Sequence, residues 1–287
     1  MVPPDGPNNS IDQAMCGRYA IITKIKEIEK RFGVVASHPE LFHPNANVAL
    51  GQHAPVVTDA APGELQFFQF GFTPSWAKKQ MYVINARSEG DHNPDDDHHY
   101  TGAKGIIEKP MFRKAIRSQR CLVIADCFIE GPKKEALSKP YCVYLRDGTR
   151  PFAFAGVWDE WVHHDTGEVI HSFAIITTVG NELMDKIHHH RSPVILTKDE
   201  EQVWIDPSRE LGEITELLKP YPAAKMNAYP ISPTIKSPRA EGIELLEPIG
   251  ERVFPEFDYE VYQDIKLFGM GESRARERRN GEQGRLF

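Results

Sequence analysis

The chain has 287 residues, 40% of them hydrophobic, which is enough to bury a sizeable core in one large domain or two small ones. Since no run approaches the roughly 18 consecutive apolar residues of a membrane span and the first residues lack a signal peptide's apolar segment, we expect a cytoplasmic protein with no membrane partner. The formal net charge of −7 disfavours general coating of nucleic acid but permits one local basic groove.

The change in composition along the chain predicts one domain between two extensions. Residues 1–14 carry Pro, Asn, Asp and Gly, and we expect a disordered leader or a mis-assigned start there. The candidate domain covers residues 15–255. Residues 256–287 form a charged extension, which we expect to be disordered from about Gly269. Four cysteines without a CxxC pair, Cys16, Cys121, Cys127 and Cys142, predict free thiols in a reducing compartment.

Short β-branched and aromatic runs predict strands along the whole domain. They are "RYAII", "APVVT", "LQFFQFGF", "RCLVIADCFI", "YCVYL", "FAFAGVW" and "SFAIITT". Helical periodicity appears in "TKIKEIEKRFG", where Thr23 can cap and Gly33 can end the helix, and in "GNELMDKI" and "SRELGEITELL". Few helices without regular strand-helix alternation predict an α+β domain built on mainly antiparallel sheet.

One polar segment, "EGDHNPDDDHHYTGAKG" (residues 89–105), is long for a simple connection. It is either a functional lid or a mobile insertion, and the sequence leaves both open.

Cys16, in "MCGRY", is the first candidate reactive residue in the chain. An internal cysteine offers only its thiolate, whereas a cysteine at the start of a chain also offers an α-amine. An aldehyde condenses with that amine to an imine, and the thiol then closes a five-membered thiazolidine. An N-terminal hydrolase or thiol peptidase nucleophile, or a buried structural cysteine, are the alternatives.

Three further segments carry candidate polar groups. In "NARSEG", Asn85 and Arg87 point the same way from a strand end and could grip a phosphate or sugar oxygen, or merely form a surface salt bridge. Glu130 ends the apolar run "RCLVIADCFIEG", where desolvation would raise its pKa toward the range for proton transfer if it does not simply face solvent.

The run His188, His189, His190 and Arg191 precedes an apolar strand. Three consecutive histidines cannot all face one metal from regular structure, and no partner with zinc-site spacing lies nearby, so we expect no metal. One histidine acting as general acid or base is the favoured reading. Arg191 could bind phosphate or serve as a structural anchor.

Seven motifs together resemble those of the SOS-response-associated peptidase (SRAP) family, in order and approximate spacing, over roughly Met15 to Val253. They are "MCGRY", "FGFTPSWAKK", "INARSEG", "RCLVIADCFIEG", "FAFAGVW", "FAIITTVGNELM" and "HHRSPVIL". The resemblance implies a single domain on a barrel-like, mainly antiparallel sheet with flanking helices. It also implies recognition of abasic sites in single-stranded DNA, including junctions with duplex, and their covalent capture as a thiazolidine during the DNA damage response, by a monomer without cofactor.

The resemblance also implies roles for particular residues. Cys16 is the nucleophile, Asn85 and Arg87 hold the sugar and a flanking phosphate, Glu130 is the acid/base, and His189 assists proton transfer. His188 is the alternative, because the chain has one residue more than the family pattern there. The positions that match the family's DNA contacts are Gly17, Arg18, Trp76, Thr178 and Arg191.

The chain departs from the family at three places, with Gly131 where a Trp is common, Ser192 where a Met is common, and Leu50 where a Pro is common. These departures concern strand wedging and base stacking rather than the crosslinking residues.

Two other functions stay open: a thiol peptidase, or autopeptidase, that uses Cys16 and His189, and a reader that binds damaged DNA without a covalent bond. Crosslinking needs a free amine on Cys16. We expect Met15 to be the initiator, removed to leave Cys16 first; cleavage of the leader, by the protein itself or otherwise, is the alternative.

Overall fold

The computed structural model describes residues 17–256, in which fourteen strands form two sheets. Cys16, the leader and the extension beyond residue 256 lie outside the described residues, so the predictions made for them are not addressed by the fold.

The strands recur from the first described residues to the last third of the chain. They are β1 (Arg18–Ile21), β2 (Val35–Ala36), β3 (Asn45–Val48), β4 (His53–Thr58), β5 (Ala61–Phe70), β6 (Asn85–Arg87), β7 (Arg120–Ala125), β8 (Cys127–Glu130), β9 (Tyr141–Leu145), β10 (Phe152–Val162), β11 (Val169–Val179), β12 (Arg191–Pro193), β13 (Ile195–Leu196) and β14 (Met226–Pro230).

The helices are short and lie between the strands. The α-helices are α1 (Ile25–Phe32), α2 (Ala115–Ser118), α3 (Glu182–Lys186), α4 (Lys198–Ile205) and α5 (Leu211–Glu216). Single turns of 3-10 helix occupy Pro39–Leu41, Gly105–Ile107, Ala136–Ser138, Ala223–Lys225, Pro233–Lys236 and Ile243–Leu246.

The larger sheet closes into a barrel. Strands β5, β4, β7, β10 and β11 pair in that order, all antiparallel, and β11 returns to pair with β5 in parallel. Closure removes the unpaired edges that an open sheet would expose. The predicted α+β domain on a mainly antiparallel, barrel-like sheet is confirmed. Two short strands, β6 and β12, extend the barrel wall by pairing with β11.

The smaller sheet has the order β14, β9, β8, β1, β3. It begins where the predicted single strand "RCLVIADCFI" breaks at Asp126, with β7 in the barrel and β8 in the smaller sheet. The buried Asp126 carboxylate accepts hydrogen bonds from the backbone of Ile22 and Thr23 (2.6 and 2.8 Å) and from the Thr23 hydroxyl (2.6 Å). A polar residue thus divides one apolar run between two sheets.

Aromatic rings fill the barrel and fix its wall. Phe70 and Phe173 stack with centroids 5.2 Å apart, and Tyr19 meets Phe70 edge to face at 5.6 Å. Since Tyr19 is itself buried, this contact pins β1, the strand that follows Gly17, against the barrel.

The three predicted helices are present, with one difference at a cap. Gly33 ends α1 in the left-handed conformation (φ 68°), and its N–H reaches the Glu29 carbonyl, as its lack of a Cβ allows. Thr23, however, does not cap α1. Lys24 occupies that position without a side-chain hydrogen bond, because the Thr23 hydroxyl is used by Asp126.

Two helices, α2 and α4, were not predicted from the sequence. Among residues 17–256, no helix combines the length and the apolar character needed to cross a membrane.

Candidate active site

The start of β1 and the end of β8 lie side by side. Arg18 pairs with Ile129 in antiparallel register and Tyr19 with Phe128. One more step along the same register sets Gly17 level with Glu130. Gly17, the residue that follows the predicted nucleophile in the sequence, thus lies beside the predicted acid/base.

Glu130 is buried where β8 meets the segment that leads into β12. Its Oε1 lies 3.6 Å from Nδ1 of His189 and 3.3 Å from the backbone N–H of Gly131. The structure therefore brings together Glu130 and His189, two residues that are 59 positions apart in the sequence.

The carbonyl of Gly131 defines which ring nitrogen of His189 carries the hydrogen. Nδ1 of His189 lies 2.8 Å from this oxygen, which can only accept, so Nδ1 carries the hydrogen. In the neutral ring Nε2 then holds the lone pair. This atom is buried and has no hydrogen-bond partner among residues 17–256, which leaves it able to take a proton from a bound substrate.

The two neighbouring histidines occupy different surroundings. His188 is exposed, adopts a positive φ of 58°, and accepts a hydrogen bond from Lys133 N–H at its carbonyl (3.0 Å). His190 contacts Asp96 through Nε2, and burial lowers the pKa of His190 although the charge of Asp96 acts to raise it. Of the three histidines, only His189 has its ring beside Glu130 in the described contacts.

Strand β6 presents the second predicted pair on one face. Asn85 and Arg87 are half-buried, while Ala86 between them is fully buried against β11. The Oδ1 of Asn85 is buried without a hydrogen-bond partner in the described part of the chain, so it can receive a donor from a ligand. Arg87 donates to Glu89 Oε1 (3.1 Å) and to Asp96 Oδ1 (3.1 Å).

Glu89 and Arg191 form a buried ion pair behind this face. Both oxygens of Glu89 are contacted by the Arg191 guanidinium, one of them at 3.2 Å from Nη2, which also donates to Thr177 (3.0 Å). Burial alone would raise the pKa of Glu89, but the hydrogen bonds and charge of Arg191 outweigh it and hold this pKa below its ordinary value. Glu89 is thus a carboxylate that orients two arginines at once.

The predicted DNA contacts differ in their access to solvent. Trp76 is 61% exposed, and Arg18 is half-buried and donates to the carbonyl of Lys236 (3.4 Å), with burial lowering its pKa. Thr178 and Arg191, in contrast, are almost completely buried. DNA contact by these residues stays a prediction, and for Thr178 and Arg191 it requires covering groups to move.

A cleft of about 360 Å³ opens beside His189. Its lining comes from three segments and consists of Asp96, His98, Lys133, Asp185, His188, His189 and His190. Within residues 17–256 no group of three or more His, Cys, Asp or Glu side chains is placed to hold a metal ion.

Sequence reasoning missed three charged residues of this site: Glu89, Asp96 and Lys133. Glu89 could have been found, because it lies in the same "NARSEG" segment, two residues after Arg87. Asp96 and Lys133 come from loops whose return to the site no local pattern reveals.

The family model described as "SOS response associated peptidase (SRAP)" matches residues 15–238, which is most of the chain. The chain belongs to the SRAP family. Relatives include the abasic site processing protein YoqW of Bacillus subtilis (strain 168), 34% identical over 81% of this chain and 99% of that protein. The abasic site processing protein HMCES of Gallus gallus is 26% identical over 69% of this chain and 61% of that protein.

Solved structures share the fold of this chain. A protein from Bacteroides thetaiotaomicron is 29% identical and superposes with a TM-score of 0.69 over 81% of this chain and 99% of its own. A Bordetella bronchiseptica protein, 21% identical over 76% of this chain and 100% of its own, shares the fold at a TM-score of 0.59.

One departure from the SRAP pattern has a steric reason. A Cβ on Gly131 would collide with the carbonyl oxygen of Ala136, so no side chain fits at this position. The Trp that is common there in the family is therefore excluded by the local path of the chain, while the Gly131 carbonyl is kept for His189.

Proposed function

We propose that this protein captures abasic sites in single-stranded DNA by forming a covalent bond from Cys16 to the sugar. The observation that carries the proposal is the buried Glu130 and His189 pair at the strand end level with Gly17. The relatives YoqW and HMCES, which are named abasic site processing proteins, support the same substrate.

The chemistry follows from an N-terminal cysteine. The abasic sugar opens to an aldehyde at C1′, the α-amine of Cys16 adds to that carbon, and loss of one water gives the imine. The thiol then adds to the same carbon and transfers its proton to the nitrogen, which closes the thiazolidine. Ring opening, water loss and thiol addition each move a proton, so positioned acid/base groups accelerate them.

Glu130 and His189 supply those groups in the proposal. Nε2 of His189 accepts a proton from the sugar or the amine, since Nδ1 is committed to the Gly131 carbonyl. Glu130, 3.6 Å from the ring, compensates the charge that the imidazole then carries. Oδ1 of Asn85 accepts a hydrogen bond from a sugar hydroxyl, and Arg87 holds a flanking phosphate.

The other thiols are poor competitors for this reaction. Cys121, Cys127 and Cys142 are buried. Burial raises the pKa of Cys121, and a hydrogen bond with Cys142 together with burial raises that of Cys127, so neither forms the reactive thiolate.

The proposal requires that Cys16 be the first residue of the mature chain. An amide nitrogen cannot form the imine, and the match to the family model begins at residue 15, directly before Cys16. We further propose that the protein acts as a monomer in the cytoplasm and accepts single strands next to duplex.

A denaturing gel tests the proposal. The chain beginning at Cys16 is mixed with single-stranded DNA that carries one abasic site, without reductant, and heated before electrophoresis. We expect a heat-stable, slower band. Cys16→Ala keeps the amine and removes the thiol, and a variant with one extra residue before Cys16 keeps the thiol and blocks the amine. Both should lose the band, because each removes one of the two bonds.

Other outcomes identify other functions. Binding in solution that vanishes on denaturation indicates a noncovalent reader, and cleavage of unrelated polypeptides by the Cys16 form indicates a peptidase. A full band from Cys16→Ala would show that Cys16 is not the nucleophile.

A further inference from the structure

The acidic loop, residues 91–104, begins and ends beside the candidate site. The Ile106 N–H donates to the Ser88 carbonyl (3.1 Å), and Gly90 (φ 57°) lies so close to Gly105 that a Cβ would stand 2.6 Å from its carbonyl carbon. Both ends of the loop are therefore held together beside β6.

Asn93 gives the acidic loop an internal turn. This buried residue accepts from Asp97 N–H (2.8 Å) and donates to the Asp97 carbonyl (2.9 Å), while its own carbonyl accepts from Asp96 N–H (3.2 Å). The turn holds Asp96 at a φ of 55°, in the left-handed region that Asp adopts more often than most non-glycine residues do. The Asp96 side chain is 16% exposed, although most of its neighbours in the loop are exposed.

The Asp96 carboxylate meets basic groups from outside its own loop. Oδ1 lies 3.1 Å from Arg87 and 3.7 Å from Arg191. Oδ2 lies 3.1 Å from Lys133 and in contact with His190. Burial alone would raise the pKa of Asp96, but these partners lower it below its ordinary value, so the group is charged at neutral pH.

Such a set of donors is the kind that binds a phosphate. Arg87 and Lys133 donate to the two oxygens at 3.1 Å, His190 contacts one of them, and the Arg191 guanidinium lies 3.7 Å away. Glu89 already neutralises part of the charge of Arg87 and Arg191. Asp96 neutralises a further part and occupies the position that an anion from solution would take.

We propose that Asp96 occupies a phosphate-binding subsite formed by Arg87, Lys133, His190 and Arg191, and competes there with the DNA backbone. The inference rests on the proposed function for the identity of the anion, a DNA phosphate. Displacing Asp96 removes the carboxylate partner of Lys133 and Arg87, whose side chains are 52% and 32% exposed, so one phosphate replaces one carboxylate. The acidic loop thus lowers affinity for DNA that lacks an abasic site, which has no covalent step to hold it.

Binding of unmodified single-stranded DNA tests this inference separately from crosslinking. The probe is a fluorescent oligothymidylate, titrated at several salt concentrations with wild type, Asp96→Asn and Asp95→Asn. Asp95 lies in the same loop and is exposed, so its variant makes the same change in net charge without vacating the subsite.

We expect Asp96→Asn to bind about tenfold tighter at low salt, because the cations lose their internal partner. The slope of log K against log salt should steepen by about 0.7, the value for one additional phosphate contact on a single strand. Asp95→Asn should change affinity less than twofold. Asp96→Glu, which restores the carboxylate, should return affinity toward that of wild type.

If Asp96→Asn and Asp95→Asn change the affinity equally, the effect comes from net charge alone and the inference is overturned. It is also overturned if Asp96→Asn, shown to be folded by an intact thermal transition, binds DNA with unchanged affinity. If the affinity and slope change as expected but no variant forms a heat-stable band on abasic DNA, the subsite stands and the covalent function fails. If wild type forms the heat-stable band but Asp96→Asn does not change the affinity for unmodified DNA, the covalent function stands and the subsite fails.

Discussion

A single backbone oxygen fixes the tautomer of His189. The Gly131 carbonyl holds the hydrogen on Nδ1, and Nε2, which keeps the lone pair, has no hydrogen-bond partner among residues 17–256. The family pattern favoured His189 and kept His188 as the alternative, because the chain has one residue more than that pattern before Arg191. The carbonyl that orients His189 lies 58 residues upstream, where no local pattern reveals it.

Matched asparagine substitutions test this assignment. We expect His189→Asn to slow crosslinking of abasic DNA by about a hundredfold, the usual contribution of a positioned acid/base group. His188→Asn should slow it less than twofold, since Asn tolerates the positive φ that His188 adopts. Single-turnover rates at saturating DNA measure both. The opposite ranking, with both variants folded, would make His188 the catalytic residue.

Glu89 should make stability depend on pH. Its pKa is lowered in the folded state, so its ion pair with Arg191 stabilises the protein above the ordinary carboxyl pKa, and this stabilisation is lost as pH falls through the lowered value. Glu89→Gln leaves Arg191 buried without its counter-charge and should cost about 3 kcal/mol at pH 7.

Denaturant unfolding at a series of pH values measures the effect. The difference in free energy of unfolding between wild type and Glu89→Gln should be constant from about pH 7 down to pH 5 and become smaller toward pH 3. The control variant is Asp206→Asn. Asp206 pairs with Arg209 near the surface, so its loss should lower the free energy of unfolding by well under 1 kcal/mol. A gap that widens on acidification would contradict the assigned direction.

At the scale of elements, β-branched and aromatic runs predicted the longer strands, and these predictions hold wherever a run lies within one sheet, whereas β2, β3 and β14 were missed. The prediction was wrong at Asp126, where one apolar run is divided between two sheets. The residues before and after Asp126 are equally buried, so the hydrophobic pattern does not indicate the passage from one sheet to the other. Helix α4 was missed even though Thr197 and Glu200 form a capping box at its N-terminus.

Asp126 should be the residue that holds this junction together. Asp126→Ala leaves three donors at Ile22 and Thr23 without their acceptor, and we expect a loss of about 3 kcal/mol in the free energy of unfolding. Asp126→Asn keeps one oxygen for the two backbone donors, and its amide can donate to the Thr23 hydroxyl, so about 1 kcal/mol is expected. Urea unfolding distinguishes the two. A cost below 0.5 kcal/mol for Asp126→Ala, on the order of a surface substitution, would show that the junction does not depend on this carboxylate.

At the scale of the whole molecule, the two sheets bring distant segments together. Strand β6 of the larger sheet leads into Glu89 and the acidic loop, β8 of the smaller sheet ends at Glu130, and the segment before β12 supplies the histidine. The motifs proposed several members of this site, but not the contacts that the acidic loop makes with it. That arrangement depends on contacts between Asp96 and residues up to 95 positions away, which no local pattern encodes.

The central claim is that both the nitrogen and the sulfur of Cys16 bond to the abasic sugar. The most direct measurement is the mass and fragmentation of the peptide released from the heat-stable DNA adduct after proteolysis and nuclease digestion, without reductant. The account predicts a peptide that begins at Cys16 and carries the sugar remnant with the loss of one water, and that resists thiol alkylation. An adduct on another residue, or on a peptide that still includes Met15 before Cys16, would contradict it.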